Sequence, residues 1–337
     1  MTDKKVTKVS MQNIADAAGV ARSTVSFVLN GKQKEGRISD ELAKKVLETA
    51  KTMNYQFNEV ARSLRTGCSH TIALVVANIA DVFFGTVAFH LQEYAEKQGY
   101  ALIIVNTGEK KERLEPIFKM LTNRQVDGII MVPISNMEEG LIESLNPKIP
   151  MIFIDRYFKA LTTSRVIIDN YEISKTATQL LIGKGCKRIA LITYKESLMH
   201  IQERKRGYID ALSALHYYDE SLVCEVDYFN SKIEIADFLR KKLKEEPQID
   251  GIFLSTGGIS SIAVRCLVYM GIKVQKDIQV IGFGRMEVAT GVPIPYVKQP
   301  MEEICKNSFD ILLDQIKSKE NKLIECKLPA SIVVDDM

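Results

Sequence analysis

The sequence predicts a small all-α head with helix-turn-helix connectivity, followed by a larger α/β body of doubly wound parallel sheets in two lobes. Three observations predict it. Residues 1–67 are basic, with 12 Lys/Arg against 7 Asp/Glu, and read as three short helices. From about Thr71 short apolar runs alternate with amphipathic stretches, the pattern of parallel strands covered by helices on both faces. The body also repeats itself: TIALV at 71–75 is matched by RIALI at 188–192, an offset of 117, and DGIIM at 127–131 by DGIFL at 250–254, an offset of 123. Two similar offsets predict two lobes of like build with a ligand cleft between them; chance likeness between buried strands is the competing account.

In the head, Ser10 is placed to cap a first helix carrying Ile14, Ala17 and Ala18, and Gly19-Val20 breaks it. A second helix covers 21–29 and stops at the turn signal Asn30-Gly31. Ser39 caps a third, with Leu42, Val46, Leu47, Ala50 and Met53 on one stripe. In the body the strand candidates are 72–77, 101–105, 128–132, 151–154, 189–193, 251–254 and 279–282. Ile173, Ala177, Leu180 and Leu181, and again Tyr208, Ala211, Leu212 and Leu215, show helical spacing.

At 337 residues the chain has room for two or three domains, and 46% apolar with 26% charged residues excludes a wholly disordered or collagen-like chain. No apolar run approaches the ~18 residues that span a bilayer. The polar start, Met1-Thr2-Asp3-Lys4-Lys5, leads into no apolar signal region, so a cytoplasmic protein is expected. The six cysteines (68, 186, 224, 266, 305, 326) show no two-residue spacing and the four histidines no HExxH, so no metal site and no cofactor is expected. Outside the head, 33 Lys/Arg face 35 Asp/Glu, so the positive charge is concentrated at the N-terminus and points to a polyanion partner there.

Residues 20–31 (VARSTVSFVLNG) are the most informative stretch. With Val20, Val25, Val28 and Leu29 facing the head's core, Arg22, Ser23 and Phe27 are left on other faces, flanked by Thr24 and Ser26. Such a helix suits a DNA major groove: arginine bonds guanine O6/N7, hydroxyls grip phosphates, and an apolar ring meets a thymine methyl. Composition alone fits a solvated helix of a small bundle equally well.

The stretch 9–31 (VSMQNIADAAGVARSTVSFVLNG) resembles the N-terminus of the lactose-repressor/galactose-repressor family of bacterial transcriptional regulators, and NYQFN at 54–58 with VARSLRTG at 60–67 resembles its hinge. QVDG at 125–128, FIDR at 153–156, IDN at 168–170, KRI at 187–189, RKRGY at 204–208, VIGF at 280–283 and Gln299-Pro300 extend the likeness over nearly the whole chain. The resemblance implies a helix-turn-helix DNA-binding domain (1–57), a hinge helix or linker (58–67), and an effector-binding and dimerisation body (68–337) built like periplasmic sugar-binding proteins. It implies an N-lobe of about 68–163 plus 294–330 and a C-lobe of about 164–293. Function follows the same likeness: a homodimer or tetramer on a near-palindromic operator, repressing carbohydrate-utilisation genes under control of a small carbohydrate-like effector. Carried over by position, Arg22, Ser23 and Phe27 contact base edges, and Ala21, Thr24, Ser26 and Asn30 stand at or beside phosphate contacts. Residues 58–65 make about two turns, too short for a stable isolated helix. The resemblance has this segment order on DNA, where Leu64 wedges into the minor groove.

Ligands of such sheets bind beyond the carboxyl ends of strands. That rule and the resemblance together give Phe83, Phe84, Asp155, Arg204, Phe229 and Arg285 as effector-cleft residues, with 81–84, 155–156, 256–258 and 284–285 around them. Departures matter too. Where sugar-binding members often carry Asn-Asp this chain has Gly257-Gly258, and where they carry Phe-Asp-Asp it has Phe283-Gly284-Arg285; Asp81-Val82 replaces Asn-Pro. Two acidic acceptors are missing and Arg285 is expected near Arg204, so the effector expected is an anionic one, a sugar acid or sugar phosphate, rather than a plain sugar. The alternative has Arg285 in solvent or paired with Asp155. A small-molecule-binding protein or enzyme on the same fold is the rival from another class. Against an enzyme, Gly282-Phe283-Gly284 is followed by Glu287 where a dinucleotide loop needs its third glycine, and no GxxxxGK[ST] or GxSxG occurs.

Overall fold

The computed structural model describes residues 9–55, 68–135, 137, 140–145, 148–286, 293–318 and 322–334. The expected hinge, with Leu64, lies outside them. The chain divides into two compact units, Met1–Gly67 and Cys68–Met337.

In the first unit, helix α1 (Met11–Ala18) opens on a reciprocal cap in which Ser10 Oγ accepts from Asn13 N–H and Asn13 Oδ1 accepts from Ser10 N–H. It closes at Gly19, whose φ of 68° lies in the left-handed region that glycine adopts without steric cost. Helices α2 (Arg22–Leu29) and α3 (Asp40–Thr52, capped by Ser39) follow. Ile14, Ala15, Ala18, Val25, Val28, Ala43, Val46 and Ala50 form the core. Two stripe residues differ from expectation: Ala17 and Leu47 are exposed, and Ala15 and Ala43 hold the buried positions. The three-helix core closes around a small contact that short alanines fill.

The second unit contains two six-stranded sheets. Strands β1 (Thr71–Val76), β2 (Ala101–Asn106), β3 (Gly128–Met131), β4 (Met151–Ile154), β5 (Ser164–Ile168) and β11 (Glu325–Leu328) form the first, in the order β11-β5-β4-β3-β1-β2, all parallel. The second is β12-β10-β9-β8-β6-β7, from β6 (Ile189–Tyr194), β7 (Val223–Val226), β8 (Gly251–Leu254), β9 (Gln279–Phe283), β10 (Tyr296–Lys298) and β12 (Ser331–Val333). Its β10–β12 pair is antiparallel, so this sheet is not wholly parallel as expected. Helices cover both faces: α4 (Val82–Lys97), α5 (Leu114–Asn123), α6 (Leu141–Leu145) and α11 (Met301–Ser318) serve the first sheet. α7 (Asn170–Gly183), α8 (Met199–Ser213), α9 (Ser231–Lys242) and α10 (Gly257–Tyr269) serve the second. Strand side chains alternate between faces. Ile72, Leu74 and Val76 accordingly enter one apolar cluster and Ala73 and Val75 another, while Ile189 and Leu191 part from Ala190 and Ile192 in the same way.

The internal repeat is structural. Ile72 pairs with Gly128 and Ile189 with Gly251, the same register in each sheet. Asp127 accepts from the N–H groups of Ser69 and Thr71, and Asp250 from those of Lys187 and Arg188, so each aspartate ties the start of a central strand to its neighbour.

The expected lobe boundaries need correction. β5 belongs to the first sheet and β10 to the second, so the chain passes between lobes after Ile168 and after Lys298, and again between β11 and β12. β5 begins with polar residues buried by distant pairing. Ser164 Oγ accepts from Gln315 Nε2 and Ile324 N–H, and Arg165 pairs with Glu325. Its apolar run, Val166-Ile167-Ile168, is only three residues long and leaves the start of the strand unmarked.

Helices α7 and α8 meet at Gly207. A Cβ there would stand 2.4 Å from the Tyr171 carbonyl oxygen and 2.8 Å from the Lys175 nitrogen, both backbone atoms, so the helices would have to separate. Overpacking of this kind costs about 1–3 kcal/mol. Gly207→Ala is therefore expected to lower urea-unfolding stability by at least that much, while Gly183→Ala, with nothing within 4 Å of its Cβ, does not. Equal effects of the two substitutions would contradict the close helix contact.

Candidate functional site

In the head, α2 presents Ala21, Arg22, Ser23 and Phe27 to solvent, with Thr24, Ser26 and Asn30 half-buried. Ala21, the residue before the helix, makes no side-chain cap bond, so the first-turn N–H groups of α2 are not satisfied by a side chain there. Such donors suit a phosphate. Asn30 closes the other end by donating to the Ser26 carbonyl. Phe27 is 38% exposed, and its ring leans on Gly36, where a Cβ would lie 2.9 Å from Phe27 Cγ. One side of the ring thus braces the following loop and the rest faces solvent.

In the body, a cleft lies beyond the carboxyl ends of β1, β4, β6, β8 and β9. Its inner chamber, about 80 Å³, is lined by Asp81, Phe83, Phe84, Asp155, Arg204 and Gln299 among others. It continues into a mouth of about 890 Å³ that shares Asp81, Phe83 and Tyr228 and adds Phe229, Arg265, Arg285 and Lys298. The mouth has the volume of a small-molecule site, with the chamber as its inner end.

Arg204 is the centre of the chamber. It is 3% exposed, on the first turns of α8. Nε donates to Asn170 Oδ1 at 2.8 Å, Nη1 to the Ser255 carbonyl at 2.7 Å, and the guanidinium lies 3.8 Å from the centre of the Phe283 ring. Nη2 stands 3.7 Å from Asp155 Oδ1 and has no hydrogen-bond partner among the described residues. Burial lowers the Arg204 pKa to about 10, against the pull of Asp155. A buried donor without an acceptor costs free energy that a ligand's acceptor would recover.

Asp155 follows β4 with φ 62°, and the Arg156 N–H reaches back to the Ile154 carbonyl at 2.7 Å, a tight γ-turn. A non-glycine residue in this region costs on the order of 1–3 kcal/mol. The turn carries the Asp155 carboxylate to Arg204. Burial raises the carboxyl pKa of Asp155, opposed by Arg204 and Arg156. Arg156 turns the other way: Nη1 donates to Glu109 Oε1 at 2.7 Å and to the Pro133 carbonyl. Behind it Ser135 bridges the lobes, its N–H donating to Glu109 and its Oγ to Glu196 Oε1. A second bridge, Asn78 Nδ2 to Tyr228 Oη at 3.3 Å, crosses at the mouth.

The structure thus brings Phe83, Phe84, Asp155 and Arg204 together in the inner chamber and puts Phe229, 66% exposed, and Arg285 only in the mouth. Arg285, expected near Arg204, follows Gly284 (φ 72°) after β9, is exposed, and lines the mouth and not the chamber that holds Arg204. Sequence reasoning missed Glu109, Tyr194, Glu196, His200 and Gln299. Two of them carried a signal: Gln299 in the Gln299-Pro300 likeness, and His200, four residues before Arg204 and so on the same helix face. Among the described residues no group of three or more His, Cys, Asp or Glu is placed to hold a metal ion. Among them, too, no helix is long and apolar enough to cross a membrane.

Comparison with known proteins adds to this geometry. Residues 69–332 match the family described as "Periplasmic binding proteins and sugar binding domain of LacI family", and residues 10–58 match "Bacterial regulatory proteins, lacI family". The "HTH-type transcriptional repressor PurR" of Vibrio atlanticus (strain LGP32) is 30% identical over 318 residues, 93% of each chain. The "Ribose operon repressor" of Halalkalibacterium halodurans is 30% identical over 330 residues, 96% of each chain. Among solved structures, the lac repressor dimer bound to operator and the anti-inducer ONPF has a TM-score of 0.82 at 21% identity, covering 97% of this chain and 98% of that one, a likeness of fold. The transcriptional regulator CelR–cellobiose complex has a TM-score of 0.69 at 26% identity over the same shares of the two chains.

His200 supplies a test of the buried site. Burial, then Arg204 and Arg156, hold its pKa well below the ordinary 6.5, so it stays neutral. The unfolded chain takes up this proton near pH 6.5 and the folded one does not, so folding stability falls as pH drops below that value. Between pH 7.5 and 5.5, urea midpoints should fall more for the parent than for His200→Gln, the difference reaching at most ~1.4 kcal/mol per pH unit. The raised pKa of Asp155 acts in the opposite sense and is common to both proteins. Parallel pH curves would contradict a buried neutral His200.

Proposed function

The chain belongs to the lacI family of bacterial regulatory proteins, and on that premise we propose how its parts do a repressor's work. It is a DNA-binding transcriptional repressor that acts as a dimer on an operator and is controlled by a small molecule. With family membership the enzyme alternative falls. The observation that carries the control is Arg204 Nη2, a charged donor buried in the cleft without a hydrogen-bond partner among the described residues. The effector is a small carbohydrate-like molecule that accepts from this donor, and the genes under control serve carbohydrate use. The ribose operon repressor and the CelR–cellobiose complex support that reading by likeness. A protein that acts on an operator works in the cytoplasm.

On the DNA side, Arg22 and Ser23 read base edges from the exposed face of α2, and the open edge of Phe27 meets a thymine methyl. Ala21, Thr24, Ser26 and Asn30 lie at or beside the phosphates, with the N-terminus of α2 adding its N–H donors. Leu64 keeps the minor-groove role that the resemblance assigns to it. The basic head makes binding fall steeply with salt, and a dimer matches a near-palindromic site.

With an operator selected from random duplexes, Arg22→Ala should weaken binding by ~1–3 kcal/mol and relax the preference at one base pair in each half-site. Electrophoretic mobility assays on single-base operator variants measure both. A uniform loss over all variants would show that Arg22 grips phosphate.

A further inference from the structure

Behind the chamber the seam between the lobes closes on two buried carboxylates. Glu109, after β2, has both oxygens met within its own lobe: Oε1 accepts from Arg156 Nη1 at 2.7 Å and Oε2 from Ser135 N–H at 2.8 Å. Glu196, after β6 in the second lobe, has only one oxygen met. Its Oε1 accepts from Ser135 Oγ at 2.5 Å, across the seam, and its Oε2 is buried without a hydrogen-bond partner among the described residues. Ser135 thus stands between the two, its N–H on the carboxylate of its own lobe and its hydroxyl on that of the other. Gln202 Nε2 donates to the Glu196 carbonyl, so the first turn of α8 holds the loop that carries the second carboxylate.

The charges around Glu196 are uneven. From the first lobe it faces Arg156, Glu109 and Asp155, one cation against two carboxylates. From its own lobe it faces Arg204 and His200, whose Nε2 lies 3.9 Å from Glu196 Oε2. That distance is too long for a hydrogen bond, and His200 stays neutral, so it brings no charge to the carboxylate. Arg156 and Arg204 are engaged elsewhere, with Glu109 at 2.7 Å and Asp155 at 3.7 Å. Burial raises the Glu196 pKa above the ordinary 4.5; Arg156 and the Ser135 hydroxyl oppose it, and Glu109 and Asp155 add to it.

We propose that Glu196 is a positioning residue for the control of operator binding: as a carboxylate it latches the two lobes through Ser135, and proton uptake on its second oxygen loosens them. The inference rests on the repressor reading for its effect on DNA, whereas the latch itself belongs to the body. A hydroxyl bonded to a carboxylate is held roughly twice as strongly as one bonded to a neutral group, and 2.5 Å is a length of the charged kind. Protonation keeps the contact with Ser135 but removes its charge, together with the attraction to Arg156 across the seam. Glu109 cannot take this part, since both its oxygens are bonded inside the first lobe. The head carries no histidine, so none of its side chains has an ordinary pKa between 5.0 and 7.0.

Fluorescence anisotropy of the full chain on a selected operator, without any sugar, tests this from pH 7.0 to 5.0 in the parent, Glu196→Gln and Ser135→Ala. The parent's affinity is expected to change by about threefold or more over that range, the scale of one charged hydrogen bond made neutral. Glu196→Gln keeps the shape of the protonated side chain, so its affinity at pH 7.0 should already be the parent's at pH 5.0. Ser135→Ala should shift the pH 7.0 affinity in the same direction. Amide hydrogen exchange at pH 7.0 reads the latch without DNA: peptides covering Ser135 and Glu196 should exchange faster in both variants, with strands β3 and β6 unchanged. A general loss of stability would speed the strands as well. A flat pH profile in the parent, a parallel profile in Glu196→Gln, or unchanged exchange at both peptides would overturn the proposal. If the parent binds no operator at any pH, the repressor reading falls and the exchange result alone decides the latch.

Discussion

A buried arginine sets the terms for the rest of the body. Taking a guanidinium out of water costs several kcal/mol unless its donors and charge are met on all sides. Arg204 is met from four directions: Asn170 at the start of α7, the Ser255 carbonyl after β8, Asp155 after β4, and the face of Phe283 at the end of β9. Each partner sits at the carboxyl end of a strand or the first residue of a helix, so the sheets must hold register for the charge to be tolerated. The strained turn at Asp155 is consistent with this, since it points the carboxylate at the guanidinium. Nη2 is the one donor group of the Arg204 guanidinium for which the described residues supply no hydrogen-bond acceptor.

The same chamber is where the two lobes touch. Asp155 comes from the first sheet and Arg204 from the second lobe, and Ser135–Glu196 and Asn78–Tyr228 bridge the lobes to either side. A ligand bonded to groups of both lobes would add to this set, and one that fits the chamber poorly would compete with it. A ligand shifts an equilibrium between lobe arrangements only by its difference in affinity for them. Contacts drawn from both lobes are the contacts that change when the lobes move.

The sequence was legible where the physics is local. The capped helices of the head depend on neighbours three or four residues apart, and Ser10, Gly19 and Ser39 mark their ends in plain view. The Asp-Gly repeats were legible because the aspartate ties and the glycine register recur in both sheets. Strand β5 was not, because Ser164 and Arg165 are buried by Gln315, Ile324 and Glu325, and the edge strands β11 and β12 and the three-residue β10 are too short to make a pattern. In the cleft, the motifs RKRGY, IDN, VIGF and FIDR, read in the sequence as family likeness, all meet at Arg204; of their residues around it only Arg204 and Asp155 were expected in the site. At 256–258 the sequence shows only that an acidic residue is missing; that Asp81 of the other lobe lies beside Gly258 is a juxtaposition that sequence spacing does not contain.

The central claim is that occupation of the cleft around Arg204 sets the affinity of the head for DNA. Fluorescence anisotropy of a selected operator, with and without a saturating neutral sugar, measures it for the parent and for Arg204→Gln. The account predicts that the sugar changes the parent's operator affinity by about 5- to 150-fold, the usual span of such coupling, and leaves the affinity of Arg204→Gln where it was at the same sugar concentration. An identical response in the two proteins, or none in the parent, would contradict it.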